Sequence, residues 1–537
     1  MYSHSSLSYP YASARHSIYA NRGMVATSQP LAAQAGLEIL KKGGNAIDAA
    51  IATAACLTVV EPTSNGIGGD AFALVWTKGK LHGLNASGYS PKNISIETLH
   101  EQGYERIPET GWASVTVPGA PSAWAALSER FGKLPLTEVL KPAIEYANNG
   151  YPVSYTLGRV WAIEYERFKQ MLKGEEYKYW FETFAPNNRA PFIGEVWASP
   201  DHAKTLELIA KTNAEAFYRG EIAEKIARFA KETNGYITVD DLADYRPEWV
   251  EPIHTNYRGY DVWEIPPNGQ GLIALLALNI VEGFDFDGKE TIETYHKQIE
   301  ALKLAFVDGQ EYITDPRHMS VSVESLLSKE YAKERRKLIG DAALTPKPGR
   351  LPKGGTVYLA TADDEGNMVS FIQSNYMEFG SGLVVPGTGI SLQNRGHSFS
   401  LNPDAANCLK PRKKPYHTII PGFLTKGKDA VGPFGVMGAF MQPQGHLQVI
   451  MNTIDFGLNP QAALDAPRWK WVEGKTIELE HTVPHHIAQG LLDRGHDVRI
   501  AVEPYGFGRG QMIWRDPETG VLIGGTEHRT DGTVAAW

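Results

Sequence analysis

The sequence predicts an α+β fold in which helices cover sheets in layers. Two observations support this prediction: helical spacing of apolar residues dominates the first part of the chain, and strand-like runs with turn residues between them follow residue 356. The only linker-like segment between the two parts is 345–355. A chain of 537 residues also buries a sizeable core without disulfides or metals.

The first two elements are helices joined by a tight turn. Apolar residues at helical spacing predict a helix over 31–42, and Gly43 supplies a left-handed stop. Asn45 suits an N-cap and Asp48 completes a capping box. The Ala-rich run that continues to Val60 is apolar on all sides, which predicts a buried helix.

The remaining elements follow from turn and periodicity signals. A Gly-rich turn precedes a strand pair, and the middle of the chain reads as mostly helical. After the linker, strands predominate. The predicted elements are strands 71–76 and 81–86, a helix that begins at 199–201, helices 221–231 and 291–308, strands 357–363 and 368–374, and a hairpin of 511–515 with 521–525.

Composition excludes several classes of function. The net charge is −9, with 52 basic and 61 acidic residues, which argues against a nucleic-acid partner. The longest apolar run, 49–60, is too short to cross a bilayer, and the start of the chain lacks a signal-peptide pattern. We therefore expect no membrane partner and a cytoplasmic protein.

The sequence does not predict a metal site or a cofactor. It contains no GxxxxGK[ST], HExxH or GxSxG motif, and the single histidines lack metal-ligand spacing. The two cysteines, Cys56 and Cys408, are too few for a disulfide framework or a zinc cluster. The expected partner is a small-molecule substrate.

The junction between linker and strand carries the chemistry. The Thr356 hydroxyl directly follows Gly355, so it could attack the carbonyl of that glycine and split the chain. Cleavage would leave Thr356 as a new N-terminus, whose hydroxyl is the nucleophile and whose α-amine is the general base. An ordinary linker before a strand is the alternative interpretation.

Strand register adds a second argument. If the turn is 364–367, Asp363 pairs with Met368 and Thr356 faces Asn375, with Ser374 beside it. Hydroxyl and amide groups would then cluster around the nucleophile. An ordinary polar strand end would show the same residues.

Several segments together resemble the γ-glutamyltranspeptidase (glutathione hydrolase) family of N-terminal nucleophile hydrolases, over nearly the whole chain from Gly23. The resemblance implies a four-layer αββα sandwich and a precursor that cleaves itself into residues 1–355 and 356–537, which form one αββα domain as a heterodimer. Whether that heterodimer associates further is left open. The matching segments are 24–28, 43–50, 61–62, 66–69, 117–120, 301–306, 355–356, 366–367, 379–382 and 452–457.

The resemblance also assigns roles residue by residue. Thr356 matches the nucleophile, and Ser374 matches a hydroxyl residue that hydrogen-bonds it. The glycine pair that donates to the oxyanion falls on Gly438 and Ala439, where a backbone donor survives the replacement. The catalytic machinery is therefore expected to be intact.

The substrate-binding positions depart from the family pattern. An early arginine for the α-carboxylate is missing from 85–91, where Tyr89 becomes the candidate contact. The family's acidic and amide residues for the substrate α-amino group fall on 395–398, where this sequence has Arg395. An arginine at that position would repel an ammonium group. The substrate-binding candidates at the altered positions are Tyr376, Arg395, Ser398, His417 and Thr418.

These departures leave three functions open. The resemblance implies hydrolysis or transfer of γ-glutamyl amides such as glutathione. Arg395, with the basic run 410–414 nearby, favours instead a small anionic amide without an α-amine, as in oxamate-type or acylase members; a solvated loop is the alternative interpretation of that run. A rival of another class is an unprocessed binding protein that never frees the threonine amine.

Overall fold

The computed structural model describes residues 14–346 and 355–537. Nineteen strands occur in these ranges: β1 Ile18–Ala20, β2 Gly23–Thr27, β3 Asp70–Thr77, β4 Lys80–Ala86, β5 Tyr151–Pro152, β6 Val196–Trp197, β7 Glu248–Val250, β8 Ile253–Tyr257, β9 Tyr260–Glu264, β10 Val357–Asp363, β11 Met368–Ser374, β12 Gly422–Lys426, β13 Asp429–Met437, β14 Trp469–Glu473, β15 Thr476–Glu480, β16 Asp497–Ala501, β17 Arg509–Arg515, β18 Leu522–Thr526 and β19 Thr533–Ala536.

Nineteen α-helices occur in the same described ranges. They are α1 Pro30–Lys41, α2 Ala46–Val60, α3 Ile96–Glu101, α4 Ala120–Phe131, α5 Leu136–Val139, α6 Lys141–Asn149, α7 Tyr155–Met171, α8 Lys178–Phe184, α9 Pro200–Thr212, α10 Glu215–Arg219, α11 Glu221–Glu232, α12 Val239–Asp244, α13 Gly271–Val281, α14 Ile292–Tyr312, α15 Val323–Leu326, α16 Lys329–Arg336, α17 Met441–Ile454, α18 Pro460–Asp465 and α19 His485–Asp493.

Two seven-stranded sheets form the centre of the protein. One has the order β1-β18-β17-β13-β12-β9-β8 and the other β19-β2-β10-β11-β3-β4-β7. Alternate side chains of both sheets meet in one apolar layer between them. That layer includes Phe72, Tyr358 and Ile372 from one sheet and Phe423, Met437 and Ile513 from the other.

Helices cover the outer face of each sheet. The α2 helix packs with Val357 and Leu359 of β10, while α13, α14 and α17 pack with β12, β13 and β17 of the other sheet. The order of layers is therefore helix, sheet, sheet, helix. The predicted four-layer αββα fold is confirmed.

The local signals at the start of the chain predict these elements well. All of α2 is buried, Asn45 accepts hydrogen bonds from the first turn, and Asp48 completes the capping box. Gly43 has a φ of 93°, the left-handed conformation expected after α1. Strands β10 and β11 begin and end at the predicted residues.

The prediction for the middle of the chain is incomplete. Strands β7, β8 and β9 lie between α12 and α13, where the sequence reads as mostly helical, and β9 pairs with β12 from the second part of the chain. Such pairing depends on residues far apart in sequence, so local patterns do not reveal it. The α14 helix also extends to Tyr312, beyond the predicted end at 308.

The predicted register of the β10–β11 hairpin is wrong by one residue. Ala362 pairs with Met368 and Val357 with Gln373. The backbone N–H of Asp363 donates to the carbonyl of Asn367 at 3.1 Å, so the loop holds three residues rather than four. Gly366, with a φ of 83°, is the left-handed residue that such three-residue loops require.

Two further expectations concern the linker and membrane-spanning helices. The predicted linker 345–355 lies outside the described residues except for Thr345, Pro346 and Gly355. Among the helices of 14–346 and 355–537, none is long and apolar enough to cross a membrane.

Candidate active site

Thr356 lies at the start of β10, in the middle of its sheet. Strand β10 runs between β2 and β11, so its backbone is held from both sides. Because side chains alternate along a strand, Thr356 shares the face of Tyr358, which points into the layer between the two sheets. Thr356 is fully buried.

Three oxygen atoms meet at this strand end. The Thr356 Oγ1 lies 2.8 Å from the Gly355 carbonyl oxygen and 3.1 Å from the Ser374 Oγ. The Ser374 hydroxyl lies 2.9 Å from the same carbonyl oxygen and can donate to it. The corrected register places Ser374, rather than Asn375, opposite Thr356. A hydroxyl held in this way is suited to attack a carbonyl, and the Ser374 contact can polarise the Gly355 carbonyl.

The segment after β11 has a strained backbone. Tyr376 has a φ of 80° and Glu378 a φ of 44°, values that are uncommon for residues other than glycine. The backbone N–H of Tyr376 donates to the Ser374 Oγ at 2.8 Å. The bend therefore supplies a donor that fixes the Ser374 hydroxyl.

Arg395 is buried beside these residues. Its Nη2 lies 3.4 Å from the Ser374 Oγ, its Nη1 donates to the Thr418 Oγ1 at 2.7 Å, and its guanidinium carbon lies 4.1 Å from the centroid of the Tyr376 ring. Its Nε has no hydrogen-bond partner. No carboxylate of the described chain forms an ion pair with it, and burial lowers the pKa of Arg395 to about 10. The site thus holds a buried cation that forms no ion pair among residues 14–346 and 355–537, although the nearby Asp70 carboxyl partly offsets the effect of burial on its pKa.

Asp70 and His417 form a buried pair near Arg395. The His417 Nε2 lies 3.0 Å from an Asp70 carboxylate oxygen, and its Nδ1 accepts from the backbone N–H of Ile419 at 3.4 Å. Burial raises the pKa of Asp70 to about 6, and burial together with Arg395 holds the pKa of His417 well below its usual value. His417 is therefore neutral, and both of its ring nitrogens are occupied within the protein.

The predicted oxyanion loop joins β13 to α17. Gly438 has a φ of 134° and Ala439 a φ of 50°. The Gln270 side chain donates to the carbonyl oxygens of Ala439 at 2.9 Å and Thr418 at 2.6 Å, which ties this loop to the residue that orients Arg395. In the described chain, no hydrogen bond uses the backbone N–H of Gly438 or Ala439. These two donors are available to a ligand.

Two other candidates make contacts elsewhere. The Ser398 hydroxyl lies 2.9 Å from the Arg395 carbonyl oxygen and 3.0 Å from that of Tyr416, so it stabilises the local turn. The Tyr89 hydroxyl donates to the Asp241 carbonyl at 3.3 Å, and burial raises its pKa to about 12. The contacts of neither side chain include Ser374, Thr356 or the Arg395 guanidinium.

The basic run 410–414 is solvated in its first half and buried in its second. Residues 410–412 are exposed, and Arg412 pairs with Asp244 on the surface at 2.6 Å. Lys413 is buried and donates to two backbone carbonyls, while the buried Lys414 pairs with Glu248 at 3.0 Å. The interpretation as a solvated loop therefore holds for 410–412 and not for the two lysines that follow.

Comparison with known proteins decides the family. The sequence model described as gamma-glutamyltranspeptidase matches residues 32–537. The chain belongs to this family. It is therefore an N-terminal nucleophile hydrolase or transferase, not the binding protein kept as a rival above.

Individual members of the gamma-glutamyltranspeptidase family differ in their named substrates. The glutathione hydrolase-like YwrD proenzyme of Bacillus subtilis is 39% identical over 96% of this chain and 99% of its own length. The oxamate amidohydrolase proenzyme of Klebsiella pneumoniae is 34% identical over 96% and 98%. The crystal structure of a cephalosporin acylase from Bacillus halodurans has a TM-score of 0.97, with 66% identity over 99% of both chains.

Two acidic residues of this candidate site were not predicted from the sequence. Asp70 follows two glycines at the start of a buried strand. Because acidic residues are rarely buried without a partner, an aspartate at this position could have indicated a functional residue. Glu378 carries no such signal, because it lies in a bend whose conformation the sequence does not reveal. A Cβ atom at residue 355 would lie only 2.9 Å from the Glu378 Oε2.

In the described part of the chain, one group of potential metal ligands lies outside the candidate active site. His296, Glu300 and His496 place ligand atoms within 4.8 Å of one another. The Lys303 ammonium donates to Glu300 at 2.7 Å, and His296 Nδ1 lies 3.0 Å from His496 Nε2. Because the ammonium already neutralises the carboxylate, this cluster is poorly suited to a cation.

Proposed function

We propose that this enzyme cleaves its own chain between Gly355 and Thr356 and then hydrolyses amides with Thr356 as the nucleophile. The hydrogen-bonded set of Thr356 Oγ1, Ser374 Oγ and the Gly355 carbonyl carries the proposal. It places a hydroxyl beside the carbonyl that it must attack. Relatives named as proenzymes support the same interpretation.

The mature reaction follows from the same groups. The α-amine of Thr356, free after cleavage, accepts the proton of its own hydroxyl, since a terminal amine has a pKa of about 7.7–8.0. The hydroxyl oxygen attacks the substrate amide, and the backbone N–H groups of Gly438 and Ala439 stabilise the oxyanion. Water, or an acceptor amine in a transfer reaction, then releases the acyl group.

The acyl group of the substrate carries a carboxylate. Arg395 supports this inference, because a buried guanidinium that forms no ion pair within the described residues favours a ligand that brings a carboxylate into direct contact with it. The same charge disfavours an α-ammonium group at that position. We therefore place a small anionic amide, such as oxamate or an acyl chain ending in a carboxylate, ahead of glutathione, and the relative named as an oxamate amidohydrolase is consistent with this order.

Electrophoresis with N-terminal sequencing tests the nucleophile. The processed protein yields a fragment of about 20 kDa that begins with Thr356, since 182 of 537 residues lie after the junction. A Thr356→Ala variant stays whole and inactive, and a Thr356→Ser control cleaves and retains activity. Full activity in an unprocessed band would contradict the proposal.

A matched pair of substrates tests the acyl preference. Glutaryl-p-nitroanilide and γ-glutamyl-p-nitroanilide differ only in the α-ammonium group, and oxamate is the small anionic amide. We expect release of nitroaniline from the glutaryl compound at the higher kcat/KM. Preferential turnover of the γ-glutamyl compound and of glutathione would overturn the role given to Arg395.

A further inference from the structure

Glu378 is a buried carboxyl group next to the proposed cleavage junction. A Cβ atom built at residue 355 would lie 2.9 Å from its Oε2 and 3.4 Å from its Cδ. The Oε2 is buried and has no hydrogen-bond partner among residues 14–346 and 355–537, and the strained φ of 44° at Glu378 belongs to the bend that follows β11. Strain of this kind is kept where the surrounding structure enforces it, often at functional sites.

The charged groups around Glu378 neutralise one another in pairs. Arg509 lies 3.4 Å from Glu61, and Arg167 lies 2.7 Å from Glu164. Glu378 forms no ion pair in the described part of the chain. Burial, reinforced by the charge of Glu164, raises the pKa of Glu378 to about 7 although both arginines oppose the shift.

The precursor needs a proton acceptor that the mature enzyme does not. After cleavage the α-amine of Thr356 serves as the base, but before cleavage that nitrogen belongs to the peptide bond and is not basic. The hydroxyls of Thr356 and Ser374 are not bases at neutral pH, and the Arg395 guanidinium is a cation. The Asp70 carboxylate already accepts hydrogen bonds from Gly88, Gln393 and His417, and His417 has both ring nitrogens occupied.

We propose that Glu378 transfers the protons of self-cleavage, an inference that rests on the proposed function. The Glu378 Oε2 approaches the Cβ position of residue 355, and the scissile carbonyl carbon is bonded to the same Cα atom. One bridging water can therefore connect the carboxyl group to the reacting atoms. As the Thr356 oxygen bonds to the Gly355 carbon, Glu378 takes the hydroxyl proton and gives it to the leaving Thr356 nitrogen. An ester and a free amine result.

Glu378 serves the second half of self-cleavage in the same way. Water attacks the ester carbon, and its proton passes through the carboxylate to the departing Thr356 oxygen. The second proton of the water passes from the new carboxylic acid to the free α-amine. The products are the carboxylate of Gly355 and the N-terminal threonine, so atoms and charges balance without a further reactant.

Cell-free synthesis of the full chain tests this role, because the precursor can be followed from its first appearance. The 20 kDa fragment is quantified over time between pH 5.5 and 8.5. We expect the wild-type rate to rise with pH through the range in which the carboxyl ionises. Glu378→Gln lowers the rate about 100-fold and removes that rise, because general acid–base groups typically contribute 10²–10⁴-fold.

Three controls separate proton transfer from structure. Glu164→Gln removes a neighbouring carboxylate that raises the pKa of Glu378, so the pH-dependent rise should persist and move to lower pH. Glu378→Ala should regain cleavage when formate is added, because formate fills the space left beside Gly355. The thermal midpoint of uncut Glu378→Gln is compared with that of uncut Thr356→Ala, to show that both are folded.

The outcomes distinguish this inference from the proposed function. If Glu378→Gln cleaves at the wild-type rate with the wild-type pH profile, the role of Glu378 is wrong while Thr356 remains the nucleophile. A folded Glu378→Ala protein that formate does not restore also contradicts the role. If the wild-type enzyme is active without any cleavage, both proposals fail together.

Discussion

The guanidinium carbon of Arg395 lies 4.1 Å from the centroid of the Tyr376 ring, and its Nη2 lies 3.4 Å from the Ser374 Oγ. This relationship connects the cation that we assign to the substrate carboxylate with the hydroxyl that contacts the nucleophile. The Tyr376 ring lies against the guanidinium, and the Tyr376 backbone holds Ser374. Tyr376 therefore contributes to both proposed functions: its ring contacts the anion-binding arginine, and its backbone orients the Ser374 hydroxyl beside Thr356.

Replacing Arg395 should reduce activity on anionic substrates selectively. We expect Arg395→Met to lower kcat/KM for glutaryl-p-nitroanilide about 100-fold, mainly through KM, since loss of one partner of a buried charge pair costs about 2–5 kcal/mol. Because Arg395 forms no ion pair within the described residues, its replacement breaks no buried salt bridge, and we expect the thermal midpoint to change little. Arg395→Lys is the control that keeps the charge; equal losses for a neutral acetyl anilide would contradict the assignment.

Removing the Ser374 hydroxyl should slow self-cleavage. Its oxygen lies 2.9 Å from the Gly355 carbonyl oxygen, to which it can donate. Loss of one such donor typically lowers a rate by 10²–10³, so we expect Ser374→Ala to accumulate precursor. Time courses on gels measure this, with Ser374→Thr as the variant that keeps the hydroxyl. Cleavage of Ser374→Ala at the wild-type rate would exclude this contact from the reaction.

A methyl group at residue 355 should interfere with cleavage and not with the mature enzyme. In Gly355→Ala the new Cβ would lie 2.9 Å from the Glu378 Oε2, so the carboxyl group must move. We expect slower processing, and an effect that does not add to that of Glu378→Gln because both act on the same contact. Fully processed Gly355→Ala should show the wild-type kcat/KM; additive effects on processing would argue against a shared cause.

The buried ion network around Glu527 should make stability depend on acid pH. Burial alone raises the pKa of Glu527, but Arg468 at 2.7 Å and Arg529 at 2.5 Å outweigh it and lower the pKa to about 2. Since the folded pKa is depressed, its stabilisation is present above the ordinary value near 4.5 and is lost as pH falls towards 2.

Denaturant unfolding at pH 7 and pH 3 measures this dependence. The pKa difference corresponds to about 3 kcal/mol at neutral pH, so Glu527→Gln should be destabilised at pH 7 and should lose less stability than the wild-type protein on acidification. Glu518→Gln, which removes a carboxylate from an exposed turn, is the control. An unchanged pH dependence in Glu527→Gln would show that the network does not act in this way.

The sequence by itself determined the local elements and the position of the reactive junction. Capping residues and apolar spacing defined α1 and α2, and the turn residues between two apolar runs defined β10 and β11. These signals depend on neighbours within a few residues, which is why they can be read without a structure. The Gly355–Thr356 junction at the start of β10 was predicted from the same kind of local signal.

Tertiary structure decided what surrounds that junction. The loop between β10 and β11 has three residues instead of the predicted four, so the register differs from the prediction by one residue. Ser374, not Asn375, therefore lies opposite Thr356. The approach of Arg395 to Ser374 and of Glu378 to Gly355 depends on strained bends and on the packing of distant segments. Packing between residues distant in sequence sets these distances, so no local pattern along the chain predicts them.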